Sequence, residues 1–461
     1  MPVNLDNTAP LSWKNATGDD DTMLQHLQPN ILKGHVRDRL HILILQFADA
    51  SAGRAFLSGL VPLMKSAKTA LEEADAFNQH DTKGTPYVGV GLSKLGYQAL
   101  GLDDVEFHDE VFKKGMKHPD SVAHLGDPKK EQWQQEYQKD IHAVVLVGDH
   151  DPDPADARLA EVKALLTDSI TVIAEETGQT QRDDAGRAIE QFGYVDGRSL
   201  PLFLAEDLEA ERDTMDGTDV WDPFLPLGRV LVADPGTADS GTDFGSYFVL
   251  RKLEQNVRAF KAAEEELANA LNLTNDDRAR AGAMFVGRFR DGTPLTLQPK
   301  AIGHTPVMNN FTYGEDAAAH KCPFQAHVRK TNPRGSGKFQ DPEVEKLHLM
   351  ARRGQTYGER TPGVDPESGV GLLFMAFNSQ IDQQFEFVQQ LWANNTGFPA
   401  HDSPPDPGRD PVIGQGSRPP QAWPLVWGED GTQEVPAPAQ AVTMKGGEYF
   451  FMPSLPFLSS L

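Results

Sequence analysis

A histidine beside a cluster of basic residues is the feature of this sequence with the clearest chemistry. His327 lies two residues before Arg329, and the basic run that follows ends at Arg334. An imidazole is a common metal ligand, and buried cations are costly unless they are paired. The combination suits a metal bound next to an anionic group. Haem meets both conditions, because a histidine can bind its iron and arginines can bind its two propionates.

Three other segments accompany the histidine segment. They are the GxxDG motif at 193–197, the stretch ARRGQTYG at 351–358 and the stretch 371–392, which begins GLLFMAFN. In this order, the four segments resemble the dye-decolourising peroxidases, and the long loops resemble the long bacterial branch of that family. The likeness covers nearly all of the chain after residue 24. A lone GxxDG is weak, but motif and context agree when all four occur together.

The resemblance implies a haem peroxidase with one haem b per chain. His327 would be the proximal iron ligand, and Arg329 and Arg334 would bind the propionates. Asp196 would move a proton between the two oxygens of hydrogen peroxide, and Arg352 would stabilise the charge that develops as the O–O bond breaks.

Four further residues are expected to contact the haem. Gly197 and Arg198 directly follow Asp196, and glycine allows the backbone to approach the haem plane closely. Leu372 and Phe374 share one face of a predicted strand and would cover the side where peroxide binds.

A simpler interpretation exists for most of these residues. The VDG sequence at Asp196 is also a common turn. His320 is a rival iron ligand, and Arg353 would replace Arg352 if the backbone register differed. The arginines of the basic run could form surface salt bridges, and the two strand residues could be ordinary core residues.

Bulky dyes cannot reach a buried haem, so an aromatic relay to the surface is expected. Tyr357 and Trp392 are the candidates, and the alternative for both is an aromatic side chain that anchors the surface. The family often has an acidic partner for the proximal imidazole, but Gln380 stands at the expected position. Asp382 lies two residues further on, so the partner stays open.

Alternating and apolar patterns place these motifs on an α+β fold. Strands are predicted at 39–47, 87–92, 142–149, 245–253 and 369–378, and helices at 51–76, 154–178, 254–271 and 381–395. The pattern indicates two ferredoxin-like domains, each an antiparallel sheet with covering helices, related to the dimeric α+β barrels. We assign residues 1–22 to a mobile segment, 23–215 to the N-terminal domain with GxxDG, and 216–461 to the haem-binding domain. The apolar C-terminal tail is expected to dock on the core.

Composition narrows the class of partner. The 461 residues carry a net charge of −24, which disfavours nucleic acid and anionic membranes and suits neutral or cationic substrates. Cys322 is the single cysteine, and the first residues resemble no export signal, so a cytoplasmic location is expected. Hydrogen peroxide, phenols and aromatic dyes are the expected substrates, Mn(II) is a further candidate, and the chain should be a monomer or homodimer.

Two other functions fit part of the pattern. The chain could bind haem and remove its iron, in the manner of a deferrochelatase, with incidental peroxidase activity. It could also be a structural or cargo protein whose apolar tail docks in an oligomer. No Walker loop, HExxH, CxxC or GxSxG motif points to another chemistry.

Overall fold

The computed structural model describes residues 2–35, 37–238, 241–336, 341–361, 363–400 and 406–461. Its strands are β1 (Arg39–Phe47), β2 (Tyr87–Leu92), β3 (Ala143–Asp149), β4 (Ile170–Gln179), β5 (Gln181–Arg182), β6 (Ala188–Ile189), β7 (Val232–Ala233), β8 (Phe244–Gln255), β9 (Ala351–Arg352), β10 (Gln355–Tyr357), β11 (Gly371–Asn378), β12 (Gln421–Pro424), β13 (Thr432–Val435) and β14 (Val442–Met452).

Short and medium helices connect and cover these strands. They are α1 (Asp19–His26), α2 (Ala50–Leu60), α3 (Ala67–His80), α4 (Lys94–Ala99), α5 (Glu110–Lys114), α6 (Pro119–Leu125), α7 (Pro152–Ala164), α8 (Ala205–Arg212), α9 (Val257–Ala270), α10 (Ala279–Val286), α11 (His327–Thr331), α12 (Pro342–Lys346), α13 (Phe385–Phe387) and α14 (Leu455–Ser459). A π-helical turn, Val388–Ala393, continues α13.

Each half of the chain forms a four-stranded antiparallel sheet with the same order. In the N-terminal half the order is β2-β3-β1-β4, and in the C-terminal half it is β10-β11-β8-β14. When the four strands of each sheet are numbered by their order in the chain, the strand order across both sheets is second, third, first, fourth. Helices separate the first and second strands and the third and fourth strands of each sheet. This is the ferredoxin-like plan, so the predicted α+β class is confirmed.

The two sheets join edge to edge and close into one barrel. Tyr357 of β10 pairs with Gly178 of β4 at one seam, and Phe451 of β14 pairs with Leu92 of β2 at the other. Each seam is short, whereas the pairings within a half are long. The two predicted units therefore share one sheet, and the boundary between 215 and 216 stays a prediction.

The helix predicted at 154–178 was too long. Residues 154–178 form α7 only as far as Ala164, and β4 begins at Ile170. Residues 170–173 are Ile, Thr, Val and Ile, whose branched Cβ atoms favour an extended backbone over a helix. The helical period of the first half does not continue past the polar turn at 167–169.

The two ends of the chain pack on the fold. Trp13 is buried, and the backbone N–H groups of Trp13 and Lys14 donate to Glu206 on α8. The segment predicted to be mobile thus makes specific contacts. At the other end β14 lies in the barrel and α14 buries Phe457 and Leu458, as expected for the tail.

The helices of this fold are short relative to a bilayer. Among the described residues, none is long and apolar enough to cross a membrane.

Candidate active site

One large cavity draws its walls from both halves of the chain. It encloses about 1650 Å³ of empty space, including its opening to solvent. Asp196, Arg198, His327 and Arg352 all line it, although they lie up to 156 residues apart in the sequence. The fold therefore brings together the proton carrier, the cation and the metal ligand that the sequence predicted.

The carboxylate of Asp196 stands beside the guanidinium of Arg352. Their nearest oxygen and nitrogen, Oδ1 and Nη1, are 3.8 Å apart, and both side chains are about one-third exposed. Oδ1 also accepts a hydrogen bond of 2.7 Å from the backbone N–H of Gly197, whose φ of +80° favours glycine. The carboxylate is thus held through Oδ1, and its Oδ2 accepts no hydrogen bond from another described residue.

Arg352, and not its neighbour, faces the cavity. Its Nη2 donates to the backbone carbonyl of Arg198 at 3.2 Å. Arg353 points away and donates to the backbone carbonyls of Asn30 and Ile31. Because successive strand residues face opposite sides, only one of the two adjacent arginines can reach the cavity.

His327 lies at the first position of α11 and is held by a buried carboxylate. Its Nδ1 is 2.8 Å from Oδ2 of Asp410, a residue whose side chain is fully buried. Burial alone would raise the pKa of Asp410, but its interaction with His327 and the hydrogen bonds that it accepts outweigh burial and hold this pKa below its usual value. An ionised carboxylate only accepts hydrogen bonds, so Nδ1 carries the proton and the lone pair of Nε2 is left for a metal.

Asp410 is itself tightly positioned. Its Oδ1 accepts from the backbone N–H groups of Val412 and Ile413 at 2.7 and 3.0 Å. Its own N–H donates to the carbonyl of Ala393 at the end of the π-helical turn. Neither Gln380 nor Asp382 is the partner of the imidazole.

His320, the rival candidate for the iron ligand, is separated from this site. Nδ1 of His320 is 3.2 Å from Asp430, and His320 does not line the cavity. His327, and not His320, therefore shares the cavity with Asp196 and Arg352.

Arg329 lies outside the cavity lining, contrary to its predicted role. Its guanidinium is fully buried, pairs with Asp316 at 3.0 Å and is flanked by the rings of Tyr313 and Phe324. Its two Nη atoms donate to Asp316 and to the carbonyl of Cys322, so Arg329 binds the segment before α11 and does not reach the cavity.

Two other arginines meet at one edge of the cavity. Arg288 lines the cavity, and Arg334 lies behind it; both donate to Oγ of Ser199 and to Oδ1 of Asn309. Burial lowers the pKa of Arg288 to about 10 and that of Arg334 to about 9. Neither forms an ion pair with a carboxylate among the described residues, and the buried Nε of Arg334 has no partner there. Such a pair suits an anionic ligand.

Arg198 lines the cavity but is already paired. Its guanidinium makes two hydrogen bonds with the carboxylate of Glu211, at 2.6 and 2.9 Å, and one with the carbonyl of Val307. It can contact a ligand, but its charge is largely compensated within the protein.

The two predicted strand residues line the cavity, whereas the two aromatic candidates do not. Leu372 and Phe374 face the cavity from β11, and the one residue between them, Leu373, is buried in the core. Tyr357 is 8% exposed and Trp392 is 1% exposed. Trp392 is therefore not a surface residue, which conflicts with a direct role in contacting bulky donors.

Comparison with known proteins agrees with this fold. A family model described as the DyP dimeric alpha+beta barrel domain matches residues 26–182. The multifunctional dye peroxidase DyP2 of Amycolatopsis is 55% identical over the full length of both chains. Peroxidase 2 of Mycetinis scorodonius is 31% identical over 94% of this chain and 86% of its own.

Solved structures match equally well. That of DyP2 from Amycolatopsis covers 100% of both chains with a TM-score of 0.96 at 54% identity. That of a DyP-type peroxidase from Anabaena covers 99% of this chain and 98% of its own, with a TM-score of 0.93 at 39% identity.

The barrel and its cavity define a haem peroxidase of the α+β barrel type. The chain belongs to the DyP-type peroxidase family, whose members are peroxide-consuming oxidoreductases. The predicted family and enzyme class are confirmed.

Proposed function

We propose that the chain binds one haem b in this cavity through His327 and reduces hydrogen peroxide while it oxidises phenols and aromatic dyes. The observation that carries the proposal is the His327–Asp410 pair, which faces the same cavity as Asp196 and Arg352. An imidazole with its Nε2 lone pair free is the donor that haem iron takes in many haem proteins.

The other walls of the cavity suit a flat apolar macrocycle with two carboxylates. Apolar side chains form much of the lining, among them Val328, Leu372, Phe374 and Ile413. Arg288 and Arg334 are positively charged and form no ion pair with a described carboxylate, so they are our candidates for the propionate partners. Arg334 was predicted for this role, whereas Arg288 takes the place of Arg329.

Haem, when bound, supplies the two-electron reduction of peroxide and then accepts single electrons from donors. Asp196 would accept a proton from one oxygen of hydrogen peroxide and deliver it to the other oxygen, which leaves as water. Arg352 would stabilise the negative charge on the departing oxygen, because its guanidinium is already fixed beside Asp196. Asp410 would keep the imidazole oriented and electron-rich.

The nature of the reductant rests on the relatives and on charge. The relatives' names describe dye peroxidases, and the net charge of −24 favours neutral or cationic donors. Among the described residues, no group of three or more His, Cys, Asp or Glu side chains could hold a metal ion, so Mn(II) stays a prediction without a site. The cytoplasmic location and the oligomeric state also stay predictions.

The ligand assignment is tested by titrating the purified apoprotein with haem. We expect the wild-type chain to bind one equivalent of haem. The haem affinity of His327→Ala should be more than about tenfold lower, because even the loss of a residue that only orients a metal ligand lowers metal affinity by about 10–100-fold. His320→Ala is the matched control and should bind like the wild type. Equal loss in both variants, or no loss in His327→Ala, would contradict the assignment.

A further inference from the structure

Lys330 is a fully buried lysine that lies three residues after His327 on α11. Its Nζ donates to two backbone carbonyls, that of Trp392 at 3.0 Å and that of Asn395 at 2.5 Å. Lys330 does not line the cavity, and it forms no ion pair with a carboxylate in the part of the chain that the structure describes. Burial of a cationic side chain is costly, so these two contacts indicate a specific role for Lys330.

Both acceptors of Lys330 lie at the end of the π-helical turn that also holds the loop of Asp410. The last carbonyls of a helix have no partner within the helix. In residues 392–395 the first and fourth carbonyls accept from Lys330, the second accepts from the backbone N–H of Asp410, and the third accepts from the guanidinium of Arg409. The helix of His327 and the loop of Asp410 are therefore anchored to the same row of four carbonyls.

The position of His327 depends on such anchors because α11 is very short. It has five residues, and a helix of this length is not stable on its own. Arg329 joins α11 to Asp316 in the segment that precedes it. Lys330, the next residue, joins α11 to the helix end that holds Asp410. The second contact therefore fixes the His327 helix relative to the partner of its imidazole.

We infer that Lys330 is a positioning residue, which keeps His327 and Asp410 at hydrogen-bonding distance by anchoring α11 to the carbonyls of residues 392 and 395. The inference rests on the proposed binding of haem iron by His327. Without the anchor, α11 is free to shift relative to the Asp410 loop, and the 2.8 Å contact between Nδ1 and Oδ2 lengthens. A weaker contact makes the imidazole a poorer electron donor, so Lys330 acts on the iron through Asp410.

The two hydrogen bonds of Lys330 do not depend on its charge. Burial lowers the pKa of Lys330 to about 7, although the carboxylate of Asp410 partly opposes this shift. A neutral amine still has two N–H groups, and Nζ contacts two carbonyls. The anchor is therefore satisfied in both protonation states, which distinguishes it from a simple counter-charge for Asp410.

The two arginines near Asp410 have a different role. Arg409 and Arg418 both donate to backbone carbonyls of residues 411–417, within the loop that follows Asp410. Neither donates to a residue of α11 among the described residues. These arginines hold the loop in its shape, whereas Lys330 connects the loop's anchor to the helix of His327.

The test is the Fe(III)/Fe(II) reduction potential of the haem-loaded protein, measured by spectroelectrochemical titration. Lys330→Met keeps a side chain of similar length but removes both donors. We expect its potential to rise by at least about half of the rise seen in Asp410→Asn, because both changes weaken the same imidazole–carboxylate contact. Lys65→Met is the matched control, since Lys65 is also buried and donates to Glu73 and to the carbonyl of Thr85 away from the cavity. Its potential should equal that of the wild type.

A double variant tests whether Lys330 acts through Asp410. Lys330→Met combined with Asp410→Asn should have the potential of Asp410→Asn alone, because a contact that is already lost cannot be weakened again. A purely structural loss would lower the stability of both lysine variants without moving the potential of either. Lys330→Gln, which keeps a shorter donor, provides the test if Lys330→Met does not fold, and its potential should rise by a smaller amount.

The possible results separate this inference from the proposed function. An unchanged potential in Lys330→Met would overturn the role of Lys330. A fall in potential would show that Lys330 acts on the iron as a charge, and a further rise in the double variant would show that it acts independently of Asp410; either result would also overturn the inference. Haem binding by the wild type that is fully retained in His327→Ala would instead contradict the proposed ligation itself.

Discussion

The pairing of His327 with Asp410 determines how strongly the imidazole can donate electrons to a bound metal. Asp410 is fully buried and ionised, and its Oδ1 is fixed by two backbone N–H groups. A carboxylate behind a ligating imidazole increases its basicity and thereby stabilises the higher oxidation state of the metal. We therefore expect a low haem reduction potential in this protein.

Replacing Asp410 by Asn should raise the Fe(III)/Fe(II) potential. The change should be on the order of 65–130 mV, because a charged hydrogen bond is worth about 1.5–3 kcal/mol and about 59 mV corresponds to a tenfold change for one electron. Spectroelectrochemical titration measures it. Asp382→Asn is the control, since Asp382 is exposed and does not contact His327. An unchanged potential in Asp410→Asn would show that this carboxylate does not act on the iron ligand.

Local motifs identified the residues whose neighbours in sequence are distinctive. His327, Asp196 and Arg352 all line the cavity as predicted, because each lies in a segment with several characteristic residues. Asp410 was missed because it approaches His327 from 83 residues away, out of a proline-rich loop with no regular period. Arg288 was missed because a single arginine after a helix gives no signal until the fold brings it beside Arg334.

Arg329 shows the opposite limit. Its position two residues after the histidine predicted a ligand contact, but the helical turn of α11 directs it to Asp316. Spacing along the chain specifies the direction of a side chain only once the secondary structure is known. The same limit explains β4, where a helical pattern was extended into β-branched residues.

The N-terminal segment is attached to α8 through one carboxylate. Glu206 accepts hydrogen bonds from the Ser12 hydroxyl and from the backbone N–H groups of Trp13 and Lys14. Burial tends to raise the pKa of Glu206, but these donors outweigh burial and lower it below its usual value of 4.5. A carboxyl whose pKa is lower in the folded state than in the unfolded state stabilises the fold at pH values above its unfolded-state pKa. This contribution is lost as the pH falls through the folded-state pKa.

Glu206→Gln should therefore lower stability at neutral pH and remove part of the acid sensitivity. We expect the free energy of unfolding at pH 7 to fall by about 1 kcal/mol, the net contribution of an ordinary hydrogen bond, because the amide of Gln keeps one acceptor oxygen. Urea unfolding at pH 7 and at about pH 3.5 measures both effects, since Glu206 titrates below its reference pKa. Glu209→Gln on the exposed side of α8 is the control. Identical curves for the two variants would contradict the role of Glu206.

The closed barrel couples the two halves of the chain into one sheet. Two four-stranded sheets of the same order meet at the Tyr357–Gly178 and Phe451–Leu92 seams. The C-terminal strand β14 lies between β8 and β2, so it is bound to both halves. The order of each sheet could be predicted from the repeated pattern of strands and helices, whereas the closure could not, because it depends on edge strands that are distant in sequence.

We expect this coupling to make unfolding cooperative. Thermal unfolding of the apoprotein should show one transition, with coincident midpoints by far-ultraviolet circular dichroism and by fluorescence of the six tryptophans, which lie in both halves. Two separated transitions would show that the halves unfold independently despite the shared sheet.

The most direct test of the central claim is stopped-flow absorption of the haem-loaded protein mixed with one equivalent of peroxide. We expect the Soret band of the wild type to change within milliseconds to seconds. In Asp196→Asn the rate of this Soret change should be about 10²–10⁴-fold lower at equal haem content, because a positioned acid–base group usually contributes a factor of this size. A wild-type Soret band that ignores peroxide or only bleaches would mean that haem is cargo, and an Asp196→Asn variant as fast as the wild type would show that Asp196 does not move the proton.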